Sequence, residues 1–593
     1  MNVSSKALLL VSGMVVALSS NACTVKAADS GAGGASGASG SAGANTAGTG
    51  GATGGTGGAA AGSGGATGGS GGAAVNPCGA VSTVGECADA STIKTCVTSE
   101  DPAFPSKVIE VKCGAQEACK VVSGAARCAP VGDCYNGDTR CKDASTVETC
   151  QNNKWVASSC GGASCTAKPG NPASCALQDS STGLVLKGHL DYEFRKPNAT
   201  LTDFSTQLFT EAAVDFFVTV YEGSELIGAG LTSPGGGALK AGDWEVKLSK
   251  AVTPQSNVYF WPMLFDDSGN PRLAVAKAES DSASHQKSSS YWYWGTPGCD
   301  AAPCGNDIGT FTITEAAGSG AAHIYQWFDY SIFRMQDLVP NVKPLTAAVF
   351  WEGGIGGKST VQFDCGSCFA PPQMGGSDVV YEPSSGAADH YDASLNISGS
   401  SGSPHHWSRA TINHEIGHWI MQSYSRSPGE GGPHYVDQVS KPGLAYSEGF
   451  ASFQGQATTS GGPANNDSVA FRKSKGTTFW VDIGKVSWEG GAFTLPDPNG
   501  PLDQDINENV VASMMWSLWA ANNASKPQGL GDGPLYKVLP SARLLDGPNR
   551  GYSRVDFVDY LDALRCGNLA TAAQVTAVTS DLKFPYDNQQ QCP

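Results

Sequence analysis

Two histidines four residues apart, His414 and His418, are the side chains whose spacing most clearly allows chemistry. On a helix such residues lie one turn apart on the same face, so both imidazoles can bind one zinc ion. Glu415 follows the first histidine, and its carboxylate would reach a water molecule on the metal. Zinc lowers the pKa of that water to about 7, and the carboxylate would pass its proton to a leaving amine. The motif therefore predicts metal-assisted hydrolysis with Glu415 as the general base.

The alternative interpretation of this segment is an amphipathic helix that carries two structural histidines. Apolar residues lie on both sides of the motif, at Ile412, Ile416, Trp419 and Ile420, so we expect the helix to be buried. Buried imidazoles need a polar partner, and a metal ion supplies one. The surroundings of the motif therefore favour a metal site.

A catalytic zinc ion needs a third protein ligand and one open position for water. Glu448 begins an apolar helical segment downstream of His418 and is the predicted third ligand. The strings His414-Glu-Ile-Gly-His418 and Glu448-Gly-Phe-Ala451 resemble the two ligand helices of the gluzincin zinc peptidases, the thermolysin-like group. This resemblance covers roughly Val379 to Asn522. It implies a zincin-like fold, a zinc site formed by His414, His418 and Glu448, and cleavage of peptide bonds.

The sequence also departs from related enzymes. Thermolysin-like enzymes have an aspartate one turn after the ligand glutamate, whereas this chain has Ser452, so the groups behind the metal ligands differ. The Gly-x-Met-Glu-Asn motif of the aminopeptidases does not occur in the sequence, and Trp419–Gly429 lacks the third histidine that a metzincin needs. An aminopeptidase and a metzincin are therefore both disfavoured.

The reaction also needs a donor for the oxyanion of its tetrahedral intermediate. His434, in a glycine-rich loop, and Tyr446, just before Glu448, are the candidate catalytic donors. The alternatives are a surface histidine and a core tyrosine. Glu508 and Asn509 open a later helix and, by the gluzincin resemblance, would border the cleft, although ordinary helix polarity also explains them.

The elements around these residues combine helices and strands. Helical periodicity or apolar helical patterns cover His323–Leu338, Arg409–Ser423 and Asn507–Asn522, and strand patterns cover Ile308–Thr314 and Ala347–Trp351. We interpret Asp378–Glu382 as an edge strand that would pair with an extended substrate. Residues 305–593 are therefore predicted to form an α+β, zincin-like catalytic domain.

The preceding residues 180–300 are predicted to form a β-sandwich accessory domain. Segments rich in β-branched and aromatic residues alternate there with Gly, Pro and Asp turns, as in strands of such a domain. The clearest of these segments are Gly183–Tyr192, Ala213–Tyr221, Trp244–Leu248 and Asn257–Phe265.

Residues 77–178 hold two similar cysteine-rich halves, marked by the matching segments Cys87–Cys96 and Cys141–Cys150. Units this small need covalent support, so we predict two copies of one repeat with three disulfides each, of open connectivity. A zinc ribbon is disfavoured because the close C-x-x-C pairs are missing. A spacer is favoured over an adhesion module.

Six further cysteines lie toward the C-terminus. Their nearest partners in sequence are Cys299 with Cys304, Cys365 with Cys368, and Cys566 with Cys592. The C-x-x-C of the middle pair fits a redox motif, but a small structural loop is favoured in an exported chain.

The N-terminus predicts export. An apolar run over Ala7–Leu18 follows a cationic start, so residues 1–22 are interpreted as a signal peptide. Cys23 is predicted to be lipidated, as in bacterial lipoproteins, because the other 18 of the 19 cysteines can pair; ordinary signal cleavage is the alternative. Residues 23–76 then form the anchor and a Gly/Ala/Ser/Thr-rich linker. We expect an outer-membrane or cell-surface lipoprotein, or a secreted protein.

A net charge of −17 argues against a nucleic-acid partner. The sequence favours an exported zinc-dependent endopeptidase that acts on proteins, peptides or glycoproteins and meets a membrane only through a lipid on Cys23. One alternative is a glycoprotein-directed gluzincin that uses the sandwich and the repeats for binding. The other is a non-catalytic adhesion lipoprotein with structural zinc, which would lack an open coordination position.

Overall fold

The computed structural model of this chain describes the following residues: 78, 81, 85–97, 107–113, 117–122, 125–134, 139–143, 145–160, 164–168, 171–176, 183–265, 271–278, 290–299, 301–358, 364–370, 378–381, 388–430, 434–460, 463, 467–520, 529–590 and 592. The expected signal peptide, Cys23 and the linker to residue 76 lie outside them. Within these ranges, no helix has both the length and the apolar character needed to cross a bilayer.

The N-terminal region repeats one arrangement of strands. Its strands are β1 (Glu86–Asp89), β2 (Thr92–Val97), β3 (Lys107–Lys112), β4 (Glu117–Val122), β5 (Ala125–Pro130), β6 (Thr139–Asp143), β7 (Thr146–Gln151), β8 (Lys154–Ser159), β9 (Ser164–Lys168) and β10 (Asn171–Ala176). An antiparallel sheet, β1-β2-β3, is followed by the hairpin β4-β5, and then the sheet β6-β7-β8 is followed by the hairpin β9-β10.

Disulfides connect the strands of both copies in the same way. The first copy contains Cys78–Cys96, Cys87–Cys119 and Cys113–Cys128, and the second contains Cys134–Cys150 and Cys141–Cys165, which match the first two. Cys160 is also disulfide-bonded. The buried clusters here are small, formed by residues such as Ile93 and Ala126, so the cross-links supply support that a large core would otherwise give. The prediction that this region contains disulfides is confirmed for these five pairs among the described residues, and disulfides are typical of an oxidising compartment.

Two sheets with a shared interior follow. The strands are β11 (Val185–Phe194), β12 (Phe209–Ala212), β13 (Phe217–Glu222), β14 (Glu225–Leu231), β15 (Asp243–Lys247), β16 (Ser256–Trp261), β17 (Met263–Phe265), β18 (Pro271–Lys277), β19 (Trp294–Pro297) and β20 (Asp307–Ile313). Sheet A has the order β12-β11-β15, with β20 parallel to β11, and sheet B has the order β14-β13-β16-β19. The inward-facing Trp244 of sheet A meets Phe260 of sheet B, with ring centroids 5.9 Å apart.

The C-terminal region contains the helices and the remaining strands. The helices are α1 (Ser319–Leu338), α2 (Arg409–Tyr424), α3 (Pro442–Thr459), α4 (Glu508–Trp519), α5 (Asp532–Lys537), α6 (Ala542–Leu545), α7 (Phe557–Cys566) and α8 (Ala572–Asp581). The strands are β21 (Ala347–Trp351), β22 (Gly357–Lys358), β23 (Asp364–Gly366), β24 (Cys368–Ala370), β25 (Asp378–Tyr381), β26 (Ala388–Tyr391), β27 (Ala393–Asn396), β28 (Val439–Ser440), β29 (Val469–Ser474), β30 (Thr477–Asp482), β31 (Ser487–Trp488), β32 (Gly491–Ala492) and β33 (Ile506–Asn507).

Strands pair across the boundary expected between residues 300 and 305. β18 lies in the chain before that point, but it pairs in parallel with β21 in the five-stranded sheet C, whose order is β17-β18-β21-β27-β24. β20 lies after that point and pairs in parallel with β11 of sheet A. The sheets on both sides of the boundary therefore share strands.

One continuous hydrophobic core joins sheets A and B to the helices. It includes Trp244 of sheet A, Phe328 of α1, Trp419 of α2, Phe450 of α3 and Trp519 of α4. Near the C-terminus the disulfide Cys566–Cys592 forms as the sequence suggested, and Cys299–Cys304 forms earlier in the chain. The protein is multidomain, with a disulfide-rich N-terminal region, abundant β-sheet and a helical C-terminal region.

Candidate metal centre

The H-E-x-x-H motif lies on α2. This helix begins after Ser408, whose hydroxyl accepts a hydrogen bond from the Thr411 N–H at 3.2 Å and so caps the first turn. The centroids of the His414 and His418 rings lie 4.9 Å apart, and the ring planes are nearly perpendicular, at 86°. The two imidazole rings of α2 are therefore close enough to bind the same ion.

Glu448 lies on α3, which packs against both α2 and α4. A Cβ atom at Gly417 of the first motif would lie only 2.7 Å from the Cα of Ala451 on α3. A Cβ atom at Gly449 would lie 2.7 Å from the carbonyl oxygen of Glu508 on α4. Because only glycine allows backbones to approach so closely, the glycines inside the two motifs bring the three helices together.

The three predicted ligands converge. The Oε2 atom of Glu448 lies 3.1 Å from Nε2 of His414 and 3.3 Å from Nε2 of His418. Neighbouring ligands of a tetrahedral zinc ion are about 3.3 Å apart, given zinc–ligand bonds of about 2.0 Å. Among the described residues these three form one of two groups whose possible ligand atoms all lie within 4.8 Å of one another. The donor set and its spacing therefore fit a zinc ion.

The second such group is His434, Glu448 and Glu508. The Nδ1 atom of His434 lies 2.8 Å from Oε2 of Glu508, and its Nε2 atom lies 3.7 Å from Oε2 of Glu448. Glu448 thus belongs to both groups. His434 approaches the site from the side of α4.

Two contacts hold the His434 segment against the start of α4. Strand β28 pairs antiparallel with β33, the two residues that precede this helix. The side-chain amides of Asn507 and Asn509 both donate hydrogen bonds to the carbonyl oxygen of Val436, each at 3.1 Å. Asn509 therefore helps to position the backbone two residues after His434, instead of pointing its side chain into the cleft. Glu508, between the two asparagines, is buried and points its carboxylate to the His434 ring.

The charges of the first group suit a cation. Burial lowers the pKa of His414 to about 3, against the opposing effect of its contact with Glu448. Burial also acts to lower the pKa of His418, but the charge and hydrogen bond of Glu448, together with the charge of Glu415, outweigh it and the pKa is raised. For Glu448, burial acts to raise the pKa, but the neighbouring His434 and His418 outweigh it and the pKa falls well below its usual range. An ionised glutamate beside a neutral imidazole is a state that binds zinc.

Serine hydroxyls lie behind both imidazoles. Ser452 Oγ lies 3.3 Å from Nδ1 of His414, and Ser447 Oγ lies 3.4 Å from Nδ1 of His418. Arg472 on β29 donates a hydrogen bond to Ser452 Oγ at 3.2 Å. A hydroxyl that accepts from Nδ1 leaves Nε2 of the same ring available as a ligand. The sequence drew attention to Ser452, whereas it offered no signal for Arg472, which is distant along the chain.

Glu415 is buried on α2 between the two histidines in sequence. Its charge contributes, after that of Glu448, to the raised pKa of His418, so its carboxylate lies in the same electrostatic environment.

Tyr446, the other candidate oxyanion donor, does not lie beside the two imidazoles. Its side chain is fully buried, and its ring packs 5.8 Å from the ring of Tyr560 and 6.5 Å from that of Phe557, both on α7. Tyr446 precedes Glu448 by two positions, and residues two apart point to different faces of a helix. The structure therefore places Tyr446 in the core rather than beside the imidazoles.

The segment Asp378–Glu382, which the sequence suggested as a substrate-binding edge strand, does not lie at the edge of sheet C within the described residues. Its described part, β25, pairs with β26 in a hairpin of its own, and Glu382 lies outside the described residues. The strand at the α2 side of sheet C is β24, which pairs antiparallel with β27 and contacts α2.

No protein-family model matches the chain, and no curated protein matches it.

Proposed function

We propose that this protein is a zinc-dependent endopeptidase of the gluzincin type. The observation that carries the proposal is the convergence of one carboxylate and two imidazoles, from two helices, within 4.8 Å. A zinc ion in this place would polarise a peptide carbonyl and make a bound water nucleophilic at neutral pH. His414, His418 and Glu448 would hold it.

Glu415 is the general base in this proposal. It takes a proton from the attacking water and delivers it to the nitrogen of the leaving amine. Its position next to His414 on α2, buried and within the field of His418, supports this role. General acid–base catalysis of this kind typically contributes about 10²–10⁴-fold to a rate. Removing the Glu415 carboxylate should therefore slow cleavage by about this factor.

His434 stabilises the oxyanion. When protonated, its ring donates a hydrogen bond from Nε2, while Nδ1 is held by Glu508 at 2.8 Å. The carboxylate of Glu508 fixes the orientation of the ring and compensates its charge. Tyr446 has no part in the proposal because its ring lies in the core.

Strand β24 is the part of sheet C best placed to bind an extended substrate. It is short, lies at the edge of the sheet and contacts α2, which carries His414 and His418. A peptide that adds to such an edge gains main-chain hydrogen bonds whatever its sequence. This supports a protein or peptide substrate and, with β24 antiparallel to β27, a zincin-like arrangement.

Export and lipid anchoring complete the proposal. The confirmed disulfides are typical of an oxidising compartment. Attachment through Cys23 would place the enzyme at the outer membrane or cell surface, and cleavage without lipidation would release it.

The decisive experiment measures casein cleavage by zinc-loaded wild type, Glu415→Gln and Glu245→Gln. Glu245 is an exposed residue of β15 and gives a matched change of charge. We expect Glu415→Gln to lose at least about 100-fold in rate while keeping its zinc, and Glu245→Gln to match wild type. Equal cleavage by all three proteins would show that the proposed mechanism is wrong.

A further inference from the structure

Sheet B presents an aromatic face away from the core. Along β13 and β16, alternate residues lie inside, and these are Val218, Val220, Val258 and Phe260. The intervening positions face outward, and these are Phe217, Thr219, Tyr221, Asn257, Tyr259 and Trp261. Because side chains alternate along a strand, the four outward rings are brought onto one surface.

Tyr259 is the centre of this surface. Its ring centroid lies 5.9 Å from that of Tyr221 and 5.8 Å from that of Tyr293, and both neighbours stand nearly perpendicular to it, at 75° and 74°. Tyr293 also lies 4.9 Å from Trp261 at a tilt of 34°. Tyr293, at 44% exposure, is the most accessible of these rings. We call Tyr221, Tyr259, Trp261 and Tyr293 the aromatic platform.

A glycine shapes the platform. Gly295 lies opposite Tyr259 on the neighbouring strand β19, and a Cβ atom there would come within 2.9 Å of the Tyr259 ring. The ring therefore lies across the backbone of β19. Tyr221 and Tyr293 stand nearly perpendicular to this ring, so the aromatic surface is not flat.

The platform is uncharged. Among the described residues, the outward positions of β13, β16 and β19 are aromatic, Thr219, Asn257, Gly295 and Pro297, in a chain of net charge −17. Trp261 Nε1 donates a hydrogen bond to Thr219 Oγ1 at 2.9 Å. Burial, with a smaller contribution from Tyr293, raises the pKa of Tyr259, so this hydroxyl stays neutral at physiological pH. Polar groups here are hydroxyl, amide and indole N–H groups.

We propose that the aromatic platform binds a neutral carbohydrate. The apolar C–H faces of a pyranose stack on aromatic rings, and its hydroxyl edges match the tyrosine and asparagine groups around them. The charged side chain of β13, Glu222, is not at one of the outward positions, and its carboxylate accepts hydrogen bonds from Thr253 and Ser256. An ionic ligand would therefore meet no opposite charge on the platform itself. A purely apolar partner would bury the polar groups without hydrogen bonds, which costs free energy. The platform lies on sheet B, so this inference does not depend on the proposed peptidase activity.

Affinity electrophoresis of the whole protein tests the inference. Native gels would contain hydroxyethyl cellulose, galactomannan or laminarin as neutral polysaccharides, or alginate as an anionic one. We expect at least one neutral polysaccharide to retard the wild type, and Tyr293→Ala to weaken this retardation at least tenfold. Tyr259→Ala should act in the same direction, and Glu415→Gln should be retarded like wild type.

Tyr330→Ala is the matched control, because Tyr330 is an exposed aromatic residue, at 49%, on α1. It should bind like wild type, and thermal unfolding should show that Tyr293→Ala is folded. The inference is wrong if no neutral polysaccharide retards the wild type, if only alginate does, or if the Tyr293 and Tyr330 variants behave alike.

Discussion

The imidazole of His434 bridges two carboxylates: its Nδ1 atom lies 2.8 Å from Glu508 and its Nε2 atom lies 3.7 Å from Glu448. The start of α4 is thereby connected to the proposed metal ligand on α3 through a single ring. These three residues are far apart in sequence, and His434 is brought to its place by the pairing of β28 with β33 and by the asparagine amides that bind the Val436 carbonyl. This bridge leads directly to the first prediction.

Replacing Glu508 with glutamine should reduce catalysis without removing the metal. A glutamine can keep one hydrogen bond to Nδ1 of His434, but it cannot compensate a protonated ring. We expect the rate of casein cleavage to fall roughly 10- to 100-fold, less than the roughly 10²–10³-fold cost of removing an oxyanion donor, because His434 itself remains in place. Glu489→Gln, at an exposed position, is the control. Loss of zinc from Glu508→Gln would instead make Glu508 a ligand.

Zinc stoichiometry separates ligands from neighbouring groups. We expect about one zinc per wild-type chain, and loss of the metal in His414→Ala and Glu448→Ala, because each removes one of three protein ligands. His434→Ala should keep its zinc but lose activity. His189→Ala, at a histidine of sheet A that contacts Asp243, should change neither. Elemental analysis after dialysis gives the answer, and loss of zinc from His434→Ala would indicate a closed, structural site.

The serine behind His414 should tune metal affinity. Ser452→Ala removes the hydroxyl that lies 3.3 Å from Nδ1 of that ring. Groups in this position typically contribute 10- to 100-fold to affinity, and we expect a loss of about tenfold because the partner is neutral. Competition with a zinc chelator measures it. Ser513→Ala, at a buried serine of α4 that bonds to a backbone carbonyl, should retain wild-type affinity, and an equal loss in both would contradict the assignment.

A partly buried carboxyl, that of Asp215, makes the stability of the fold depend on pH. Burial raises the pKa of Asp215 to about 6, from an ordinary value of 3.8. Between these values the folded protein binds more protons than the unfolded chain, so the free energy of unfolding falls as the pH rises. Asn tolerates the left-handed backbone of this residue, where φ is 57°. Asp215→Asn should therefore stabilise the fold at pH 7.5 by about 1–3 kcal/mol.

Calorimetry at two pH values checks this prediction. The advantage of Asp215→Asn over wild type should shrink at pH 4.5, where the folded wild type is already protonated. Asp337→Asn makes the same change of charge at an exposed position of α1 and should have little effect at either pH. A destabilised Asp215→Asn variant at pH 7.5 would contradict the expected sign.

Local sequence patterns located the elements of the metal site well. The helix predicted over Arg409–Ser423 is observed as Arg409–Tyr424, and the strand predicted over Ala347–Trp351 has the observed bounds. The helix predicted from Asn507 begins at Glu508, with Asn507 as its N-cap. These elements have strong periodicity and clear capping residues, which are local properties.

Non-local pairing could not be predicted in the same way. Nothing in the composition of β18 indicates that it pairs with β21, because partner choice depends on the whole fold. The side of α3 on which Tyr446 lies follows from how α7 packs against it. The contact between Arg472 and Ser452 depends equally on where β29 is placed. Proximity to Glu448 along the chain drew attention to Tyr446, whereas no motif marks Arg472, 20 residues after Ser452, as its neighbour.

The exchange of strands β18 and β20 has a practical consequence for dissecting the molecule. A gene cut near residue 300 would leave one fragment with β18 but without its neighbour β21, and the other with β20 but without β11. Each fragment would expose an unpaired strand edge and should aggregate. Limited proteolysis of the intact protein should likewise nick loops without releasing a stable half. We therefore expect these sheets to fold and unfold as one cooperative unit.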